Sequence, residues 1–459
     1  MRRWVGRLTL VLVCAVLASA VVRAPAPHEA HVSLYLDGVH LMADGTVAPV
    51  PAGSGATYLP GSRVLAGDPA ARDRAAAQRA WLATGTVPGA GTAYEELVAG
   101  ALLDLHTLTG ARLRGAGGAV TPASPGAAVA GWTDRWRYVW PRDAAFVAVA
   151  LARTGHPEDA REVLAFLAGV QAGDGLLEAR YLPDGSGPPD GRGIQLDGLG
   201  WVLWAAGEVL AELDAATAQE AFAELRPLVD RASEQVLALT AGASHLPPPS
   251  PDYWEVPERE LTLGTVAPML AGLESAAGVY ARAGHAGRAE TIRTRAVEVR
   301  GAVEDAFGPG YHRYARTGPL ALLRGSGHRD AATAVLLPPF VPVPLAGAEA
   351  AWLASAEEMA RPAGGLAPGA GWKQDGISWT PQTSLYALAA ASNGHPGLAR
   401  EWLDWLAAHR TASGAIPEKV LADGAPAAVA PLTWSSANVV LAVLALEEAG
   451  ALERAPGAR

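Results

Sequence analysis

The sequence predicts an all-α protein, an (α/α)6 barrel of about twelve helices with a short irregular or β-hairpin N-terminal extension. The first observation is a repeat: residues 151–175 and 390–414 both contain Gly-His-Pro, Ala-Arg-Glu, aromatic and leucine residues at helical spacing, and a Gly-bearing loop. A weaker copy begins at Gly284 and His285. Gly suits the left-handed residue just past one helix, and Pro suits the first turn of the next. Each copy therefore indicates an αα-hairpin turn, and repeated hairpins are typical of helical toroids and solenoids.

The second observation is a helical periodicity from residue 91 onward. Val266, Met269, Leu270 and Leu273 illustrate the apolar stripe of an amphipathic helix. Half of all residues are hydrophobic and alanine dominates among them, which favours close-packed helices over sheet. Twelve helices, paired as six hairpins and alternating between an inner and an outer ring, make the barrel. The predicted helices span 92–109, 142–154, 157–172, 195–212, 215–238, 261–282, 285–306, 327–336, 346–360, 379–393, 396–409 and 432–449.

Composition divides the chain into four parts. Residues 1–23 have a basic start, an apolar run and a small-x-small site at Ala18-Ser19-Ala20, which predicts a secretory signal or, alternatively, an uncleaved anchor. The protein is therefore expected to be secreted or to reside in the cell envelope. Residues 24–90 form an N-terminal extension in which HVSLYLDGVHL predicts a short hairpin about Asp37-Gly38. The barrel is assigned to 91–452 and a C-terminal tail to 453–459.

Charge and cysteine content exclude several classes of function. The net charge is −10 without any run of Lys and Arg, so nucleic acid is not an expected partner. Cys14, the single cysteine, lies in the signal segment, so the mature chain has no disulfide, catalytic thiolate or Cys-ligated zinc. The histidines show no metal-ligand spacing, and no phosphate-cradling Gly loop follows a strand. We expect a monomer with no metal and no cofactor, and with membrane contact only through an uncleaved N-terminal segment.

Five loops between the predicted helices are dense in aromatic and charged residues. A barrel would bring these loops together at one mouth, and such loops are atypical of simple connectors. The chain also has 14 Trp against 5 Phe, which suits stacking on sugars or other flat ligands, although Trp also serves helix packing. The loops are 131–143, 247–260, 369–382, 414–420 and 430–436.

Glu255 is a candidate general acid. It follows Trp254 directly and precedes a predicted helix. A carboxyl against an indole face loses hydration, which favours the protonated form that a general acid needs. The alternative is a helix-start carboxylate or a solvated loop charge.

Glu418 is a candidate general base. A carboxylate beside Lys419 tends to stay ionised, although a surface Glu–Lys pair explains the same residues. Glu178 is a rival, because alignment of the two repeats places it within one residue of the register of Glu418. The internal symmetry does not choose between these two glutamates.

Arg142 and Asp143 are candidate sugar-binding residues. Arg supplies fixed donors and Asp supplies acceptors, so an adjacent pair framed by aromatic residues suits vicinal hydroxyls. The alternative is a helix N-terminal Asp with a structural Arg. Gln195 and Asp197 begin another inner helix, where they would either add hydroxyl contacts or cap the helix.

The motifs YVWPRD, IQLDG, DYWE, RDAATAVLLPPF, IPEKV and PLTW, in this order, resemble the glucoamylase-like glycoside hydrolases of family 15 over about residues 92–450. That family includes glucoamylases, glucodextranases and some trehalases. The resemblance implies an (α/α)6 barrel and an inverting, exo-acting enzyme that releases glucose from the non-reducing end of an α-glucan or α-glucoside. It implies Glu255 as general acid and Glu418, rather than Glu178, as general base. It implies Arg142 and Asp143 as the clamp on the terminal glucosyl unit, and Trp140, Trp254 and Asp252 as residues that shape the pocket. Together with the aromatic loops, the predicted substrate-binding set is Arg142, Asp143, Trp140, Tyr138, Trp136, Asp252, Trp254, Gln195, Asp197 and Trp434.

The chain departs from the family pattern in several places. About 65 residues precede the barrel where bacterial relatives carry a large β-sandwich, Ser435-Ser436-Ala437 replaces a common Ser-His-Ala, and the loop 361–382 matches poorly. These departures motivate a second hypothesis, a non-catalytic glycan-binding or cell-envelope protein on a glucoamylase-like barrel. A third, a zinc-dependent toroid enzyme, is disfavoured because its Cys or His ligands are missing.

Overall fold

The computed structural model describes residues 32–316 and 327–454, so the predicted signal segment 1–23 lies outside the described residues. Twelve α-helices form in the described part of the chain, none with the length and apolar character needed to cross a bilayer. They are α1 (Arg72–Thr84), α2 (Glu95–Leu108), α3 (Pro141–Arg153), α4 (Pro157–Val170), α5 (Asp197–Ala211), α6 (Ala215–Leu239), α7 (Leu263–Arg282), α8 (Ala286–Phe307), α9 (Ala348–Met359), α10 (Thr380–Ser392), α11 (Pro396–Ala408) and α12 (Thr433–Glu448).

Helices α2 to α12 and one 3-10 helix, Ala331–Leu336, form the predicted (α/α)6 barrel. The inner ring closes through α3, α5, α7, the 3-10 helix, α10 and α12, each packed on the next and α12 on α3. The inner helix α3 is buried from Pro141 to Ala152, because it has neighbours on all sides. The outer helices α2, α4, α6, α8, α9 and α11 pack against this ring and bury one face each.

Small residues let the inner helices approach closely. A Cβ atom at Gly200 of α5 would lie 2.0 Å from the carbonyl oxygen of Pro268 of α7. A Cβ atom at Gly272 would lie 2.7 Å from the carbonyl oxygen of Gly200. Both distances are too short for any side chain, so glycine is required at this helix contact.

The repeated Gly-His-Pro turns lie where the sequence predicts them. Gly155, Gly284 and Gly394 have positive φ angles of 84°, 81° and 76°, just past the ends of α3, α7 and α10. The next helix begins at Pro157, Ala286 or Pro396. The predicted helix 327–336 is shorter in the structure. Asp330 accepts a hydrogen bond from the Ala332 amide at 3.0 Å and starts a 3-10 helix that ends before Pro338 and Pro339.

The N-terminal extension contains a β-hairpin, but its turn is not at Asp37-Gly38 as predicted. Strand β1 (Leu36–Leu41) runs through those two residues and pairs antiparallel with β2 (Thr46–Pro51). The turn lies at Asp44-Gly45 instead. There Gly45 has φ of 77° and the Asp44 carboxylate accepts the Thr46 amide at 2.9 Å. Asp37 is buried and accepts the Gly53 amide at 2.8 Å, which explains an Asp within a strand.

The extension also contains helix α1, which the sequence did not predict. Its interior contacts are few, because only Ala75 and Gln78 are buried in it. Trp81 anchors it, with the indole stacked 4.1 Å from His106 and 4.0 Å from His156 between ring centroids. Strands β3 (Arg112–Arg114) and β4 (Val120–Thr121) extend the hairpin into a sheet of order β1-β2-β3-β4. Its residues Leu36, Val39, Val47 and Leu113 belong to the core of the barrel.

A second small sheet is formed by residues of the loops 369–382 and 414–420 together with a third strand. Its strands are β5 (Ser378–Trp379), β6 (Lys419–Val420) and β7 (Pro426–Ala427), in the order β5-β6-β7. The N-terminal extension continues it, because the Tyr35 amide donates to the Ala428 carbonyl at 2.9 Å and the Ala428 amide to the Ser33 carbonyl at 3.0 Å. Two segments far apart in the sequence therefore support the same edge of the barrel.

Candidate active site

The loops at one end of the barrel enclose a pocket of about 280 Å³. All five aromatic and charged loops identified in the sequence contribute to it. The lining residues are Ala130, Arg135, Trp136, Trp140, Arg142, Asp143, Arg180, Arg192, Tyr253, Trp254, Glu255, Pro368, Trp372, Trp379, Pro381, Gln382, Glu418, Lys419, Leu432 and Trp434. The two candidate catalytic glutamates therefore lie in one pocket.

Arg142 and Asp143 open helix α3, where Pro141 occupies the first turn. The Arg142 guanidinium lies 3.1 Å from the Asp143 carboxylate and 3.7 Å from that of Glu255, and its centre lies 4.6 Å from the Trp434 ring centroid. Burial raises the pKa of Asp143 to about 6, and the Arg142 charge opposes this shift. The pair thus presents buried donors and acceptors at the base of the pocket.

Asp197 supports this pair from the first turn of α5. Its carboxylate lies 3.9 Å from the Arg142 guanidinium. Burial raises the pKa of Asp197 to about 7, again against the charge of Arg142. Among the described residues predicted to bind substrate, Tyr138, Gln195, Asp197 and Asp252 lie outside the pocket lining.

Glu418 is held in a rigid setting. The Trp136 indole N–H donates to its Oε1 at 3.2 Å, and the Lys419 ammonium lies 3.2 Å from its Oε2. Its backbone amide donates to the Val429 carbonyl at 2.8 Å, and the Thr380 amide donates to its carbonyl at 3.0 Å. Burial raises the pKa of Glu418, while Lys419 and the Trp136 hydrogen bond lower it.

Glu255 lies in a strained turn. Its φ angle is 55°, a left-handed conformation that costs a non-glycine residue about 1–3 kcal/mol. The Glu255 amide donates to the Asp252 carbonyl at 2.7 Å, and the Trp254 amide donates to the Asp252 carboxylate at 2.9 Å. The Glu255 carboxylate pairs with Arg192. The turn therefore directs this carboxylate into the pocket.

A buried ion cluster holds the turn in place. The Arg313 guanidinium reaches Asp252 at 3.0 Å, Glu258 at 2.6 Å and Asp330 at 2.6 Å. Its centre also lies 3.7 Å from the Trp254 ring centroid. Asp252 was predicted to contact the sugar, but in the structure it anchors the turn of Glu255 from outside the pocket lining. The Thr262 hydroxyl donates to its Oδ2 at 2.7 Å.

Several residues of the pocket lining are not predicted from the sequence motifs. Arg180 and Arg192 come from the segment after α4, which has no aromatic cluster to draw attention to it. Trp372 lies in the loop before α10 and Gln382 in the first turn of α10, and the sequence motifs assign neither of them a role. Glu178, the rival to Glu418, is half-buried outside the pocket lining, with its amide bonded to the Tyr181 hydroxyl at 2.8 Å. Within the described residues, no group of three or more His, Cys, Asp or Glu is arranged to hold a metal ion.

No family model and no curated protein matches the sequence. Solved structures of similar fold do match. A wild-type glycosidase aligns with TM-score 0.60 at 22% identity, covering 78% of this chain and 97% of that one, and a glycosidase variant with bound glucose gives the same values. The glucoamylase from Saccharomycopsis fibuligera aligns with TM-score 0.60 at 14% identity over 80% of this chain and 98% of its own.

A bacterial glucoamylase in complex with acarbose also aligns, with TM-score 0.62 at 16% identity over 82% of this chain. This chain covers 58% of that protein's length. The chain therefore has the glucoamylase-like (α/α)6 fold, as the sequence predicted. The resemblance to glucoamylase-like proteins is confirmed at the level of the fold.

Proposed function

We propose that this protein is an inverting, exo-acting glycoside hydrolase that releases glucose from the non-reducing end of an α-glucan or α-glucoside. The observation that carries the proposal is the presence of Glu255 and Glu418, from separate loops, in one pocket with the Arg142–Asp143 pair. Structures of the same fold that are described as a glycosidase with glucose and a glucoamylase with acarbose support it.

Glu418 acts as the general base and activates the attacking water. A base must be ionised, and the Lys419 charge together with the Trp136 N–H stabilises the carboxylate against the effect of burial. These contacts also fix its orientation, because each carboxylate oxygen has its own partner. An inverting pair is expected to leave about 6.5–9.5 Å between the carboxyl groups for that water.

Glu255 acts as the general acid and donates a proton to the glycosidic oxygen as the bond breaks. Arg142 and Asp143 hold the hydroxyls of the departing glucosyl unit. Arg142 Nη1 is buried without a hydrogen-bond partner among the described atoms, and its nearest carboxylate, that of Asp197, lies 3.9 Å away. Unpaired buried polar atoms are costly, so sugar hydroxyls that pair with them favour binding.

Substitutions at the two glutamates test the proposal. Glu255→Gln and Glu418→Gln each keep the shape of the side chain and remove its proton chemistry, so we expect loss of most turnover with sugar binding retained. The substrates are maltose, isomaltose, dextran, starch and trehalose, with the anomer of the first product recorded by NMR. A wild-type rate in either variant refutes the assignment, and an α-anomeric first product refutes inversion.

The alternative is a non-catalytic glycan-binding protein. The Arg192 contact to Glu255 favours it, because the carboxylate is engaged rather than left open in this structure. Maltose or isomaltose that binds to the wild-type protein and stays intact through long incubation supports this alternative over hydrolysis.

We also propose export to the cell exterior or envelope, a monomeric state and a carbohydrate as partner. The proposal for export rests on the signal-like residues 1–23. N-terminal sequencing of the protein recovered from culture medium and from membranes distinguishes cleavage from anchoring. Light scattering of the purified chain tests the monomer.

A further inference from the structure

Arg192 lies at the pocket mouth beside Glu255, where hydrolysis of a neutral sugar does not require a cation. Its guanidinium contacts Glu255 Oε2 and lies 3.7 Å from the Asp190 carboxylate. The Arg192 side chain is 39% exposed, against 7% for Arg142. An exposed arginine can exchange its partner at little cost in packing, whereas the buried Arg142 cannot.

The pocket is rich in cations although the chain as a whole is acidic, with net charge −10. Two of the lining cations have acids other than Glu255 beside them: Arg142 has Asp143 and Asp197, and Lys419 has Glu418. Arg180 pairs with Asp190 through the same oxygen that Arg192 approaches. The lining cations are Arg135, Arg142, Arg180, Arg192 and Lys419, and the lining acids are Asp143, Glu255 and Glu418.

The charge at the pocket mouth differs in the reactive state of the enzyme. A general acid must carry its proton before it donates it, so Glu255 is then neutral and contributes no counter-charge to Arg192. Asp190 is the remaining described acid in ion-pair range of Arg192, and it is shared with Arg180. The reactive state therefore leaves an exposed guanidinium at the mouth with a shared carboxylate beside it, and this guanidinium can accept a further anion.

We infer that an oxyanion carried by the leaving group of the substrate pairs with Arg192 and replaces its contact with Glu255. The inference rests on the proposed hydrolase function and narrows its substrate to α-glucosides with a carboxylate, phosphate or sulfate on the reducing-side group. Glu255 faces the glycosidic oxygen in that function, so a cation beside it lies near the leaving group. A guanidinium binds such oxyanions with two parallel hydrogen bonds.

Two matched glucosides test the inference. The first is 3-carboxyphenyl α-D-glucopyranoside, and the second is its neutral analogue, 3-carbamoylphenyl α-D-glucopyranoside. We expect wild-type kcat/KM to favour the carboxylate by at least about tenfold, as a charge-assisted hydrogen bond would. In Arg192→Gln the preference falls close to the intrinsic difference between the leaving groups. Arg226→Gln, which breaks an exposed helical pair with Asp230, is the matched control and keeps the wild-type preference.

Added sodium sulfate distinguishes the two sources of the anion. If sulfate accelerates hydrolysis of the neutral glucoside in wild type but not in Arg192→Gln, the oxyanion pairs with Arg192 as a free ion. An equal preference in wild type and Arg192→Gln, with no effect of sulfate, overturns the inference while the hydrolase function stands.

If neither glucoside is hydrolysed, the proposed function fails and calorimetric binding decides the inference instead. Tighter binding of the carboxylate than of the amide, lost in Arg192→Gln, supports an anion site. Equal affinities in both proteins overturn it.

Discussion

The loop of Glu418 and the turn of Glu255 meet in the same pocket but are held by different means. Strand β6 begins at the residue after Glu418 and is paired on both sides, and the carboxylate has two fixed partners. The Glu255 turn has a strained backbone, a 24% exposed side chain and anchors that are ion pairs. The difference indicates that the proposed base is fixed in position, whereas the proposed acid is free to change partners.

Arg313→Met removes the cation that anchors the turn of Glu255, and it gives the largest expected effect. Removing the guanidinium leaves Asp252 and Asp330 buried without their cation, which costs about 3–5 kcal/mol. Urea unfolding measures the loss. Arg226→Met, at an exposed helical pair, is the control and should cost below about 1 kcal/mol. Equal destabilisation by the two variants would mean that the ion cluster does not support the turn.

Trp136→Phe tests the base side. It removes the N–H that holds Glu418 Oε1, so the proposed base is less well positioned and kcat should fall roughly ten- to hundredfold. Because that hydrogen bond lowers the pKa of Glu418, its loss raises this pKa. The acid limb of the pH–rate profile should then move to higher pH, since the base works in its ionised form.

Trp132→Phe is the matched control for that substitution. Trp132 lies in the same loop and donates its N–H to the Val47 carbonyl at 3.2 Å, away from the pocket lining. Its pH–rate profile should coincide with that of wild type. A shift of equal size in both variants would assign the effect to loop packing instead of to Glu418.

Lys419→Met gives the smallest expected effect and sharpens the comparison further. The ammonium lowers the pKa of Glu418, so its removal raises that pKa and again moves the acid limb to higher pH. The expected loss in kcat/KM below the optimum is about 1 kcal/mol, or roughly fivefold, because the Trp136 hydrogen bond still stabilises the carboxylate. An unchanged acid limb would indicate that Lys419 does not act through Glu418.

Much of this fold follows from patterns local in the sequence. The Gly-His-Pro turns require only the next few residues, so Gly155 and Gly394 lie where predicted. Helix α1 is not predictable in this way, because it buries little of its surface and so carries a weak apolar stripe. The predicted hairpin turn is wrong because Asp-Gly occurs twice within the N-terminal extension, and only the burial of Asp37 distinguishes these two copies.

The candidate site was predictable where its chemistry is concentrated in short motifs. Glu255, Glu418 and the Arg142–Asp143 pair lie in such motifs, and the structure brings them together. Arg192 and Arg313 were not predictable in this way. Each contacts at least one residue more than 60 positions distant in the sequence, Glu255 for Arg192 and Asp252 for Arg313. A single arginine in a Gly- and Pro-rich segment gives no sign of such a contact.

The segment that precedes the barrel closes the outer edge of the sheet behind Glu418. Leu34 forms a parallel bridge with Ala428, and the Tyr35 ring lies 5.9 Å from that of Trp136, the residue that donates to Glu418. A shortened form that starts at residue 91 would uncover backbone groups that invite pairing with other chains. Removal of residues 1–90 would therefore produce a molecule prone to self-association, in which Trp136 beside Glu418 lacks its contact with Tyr35.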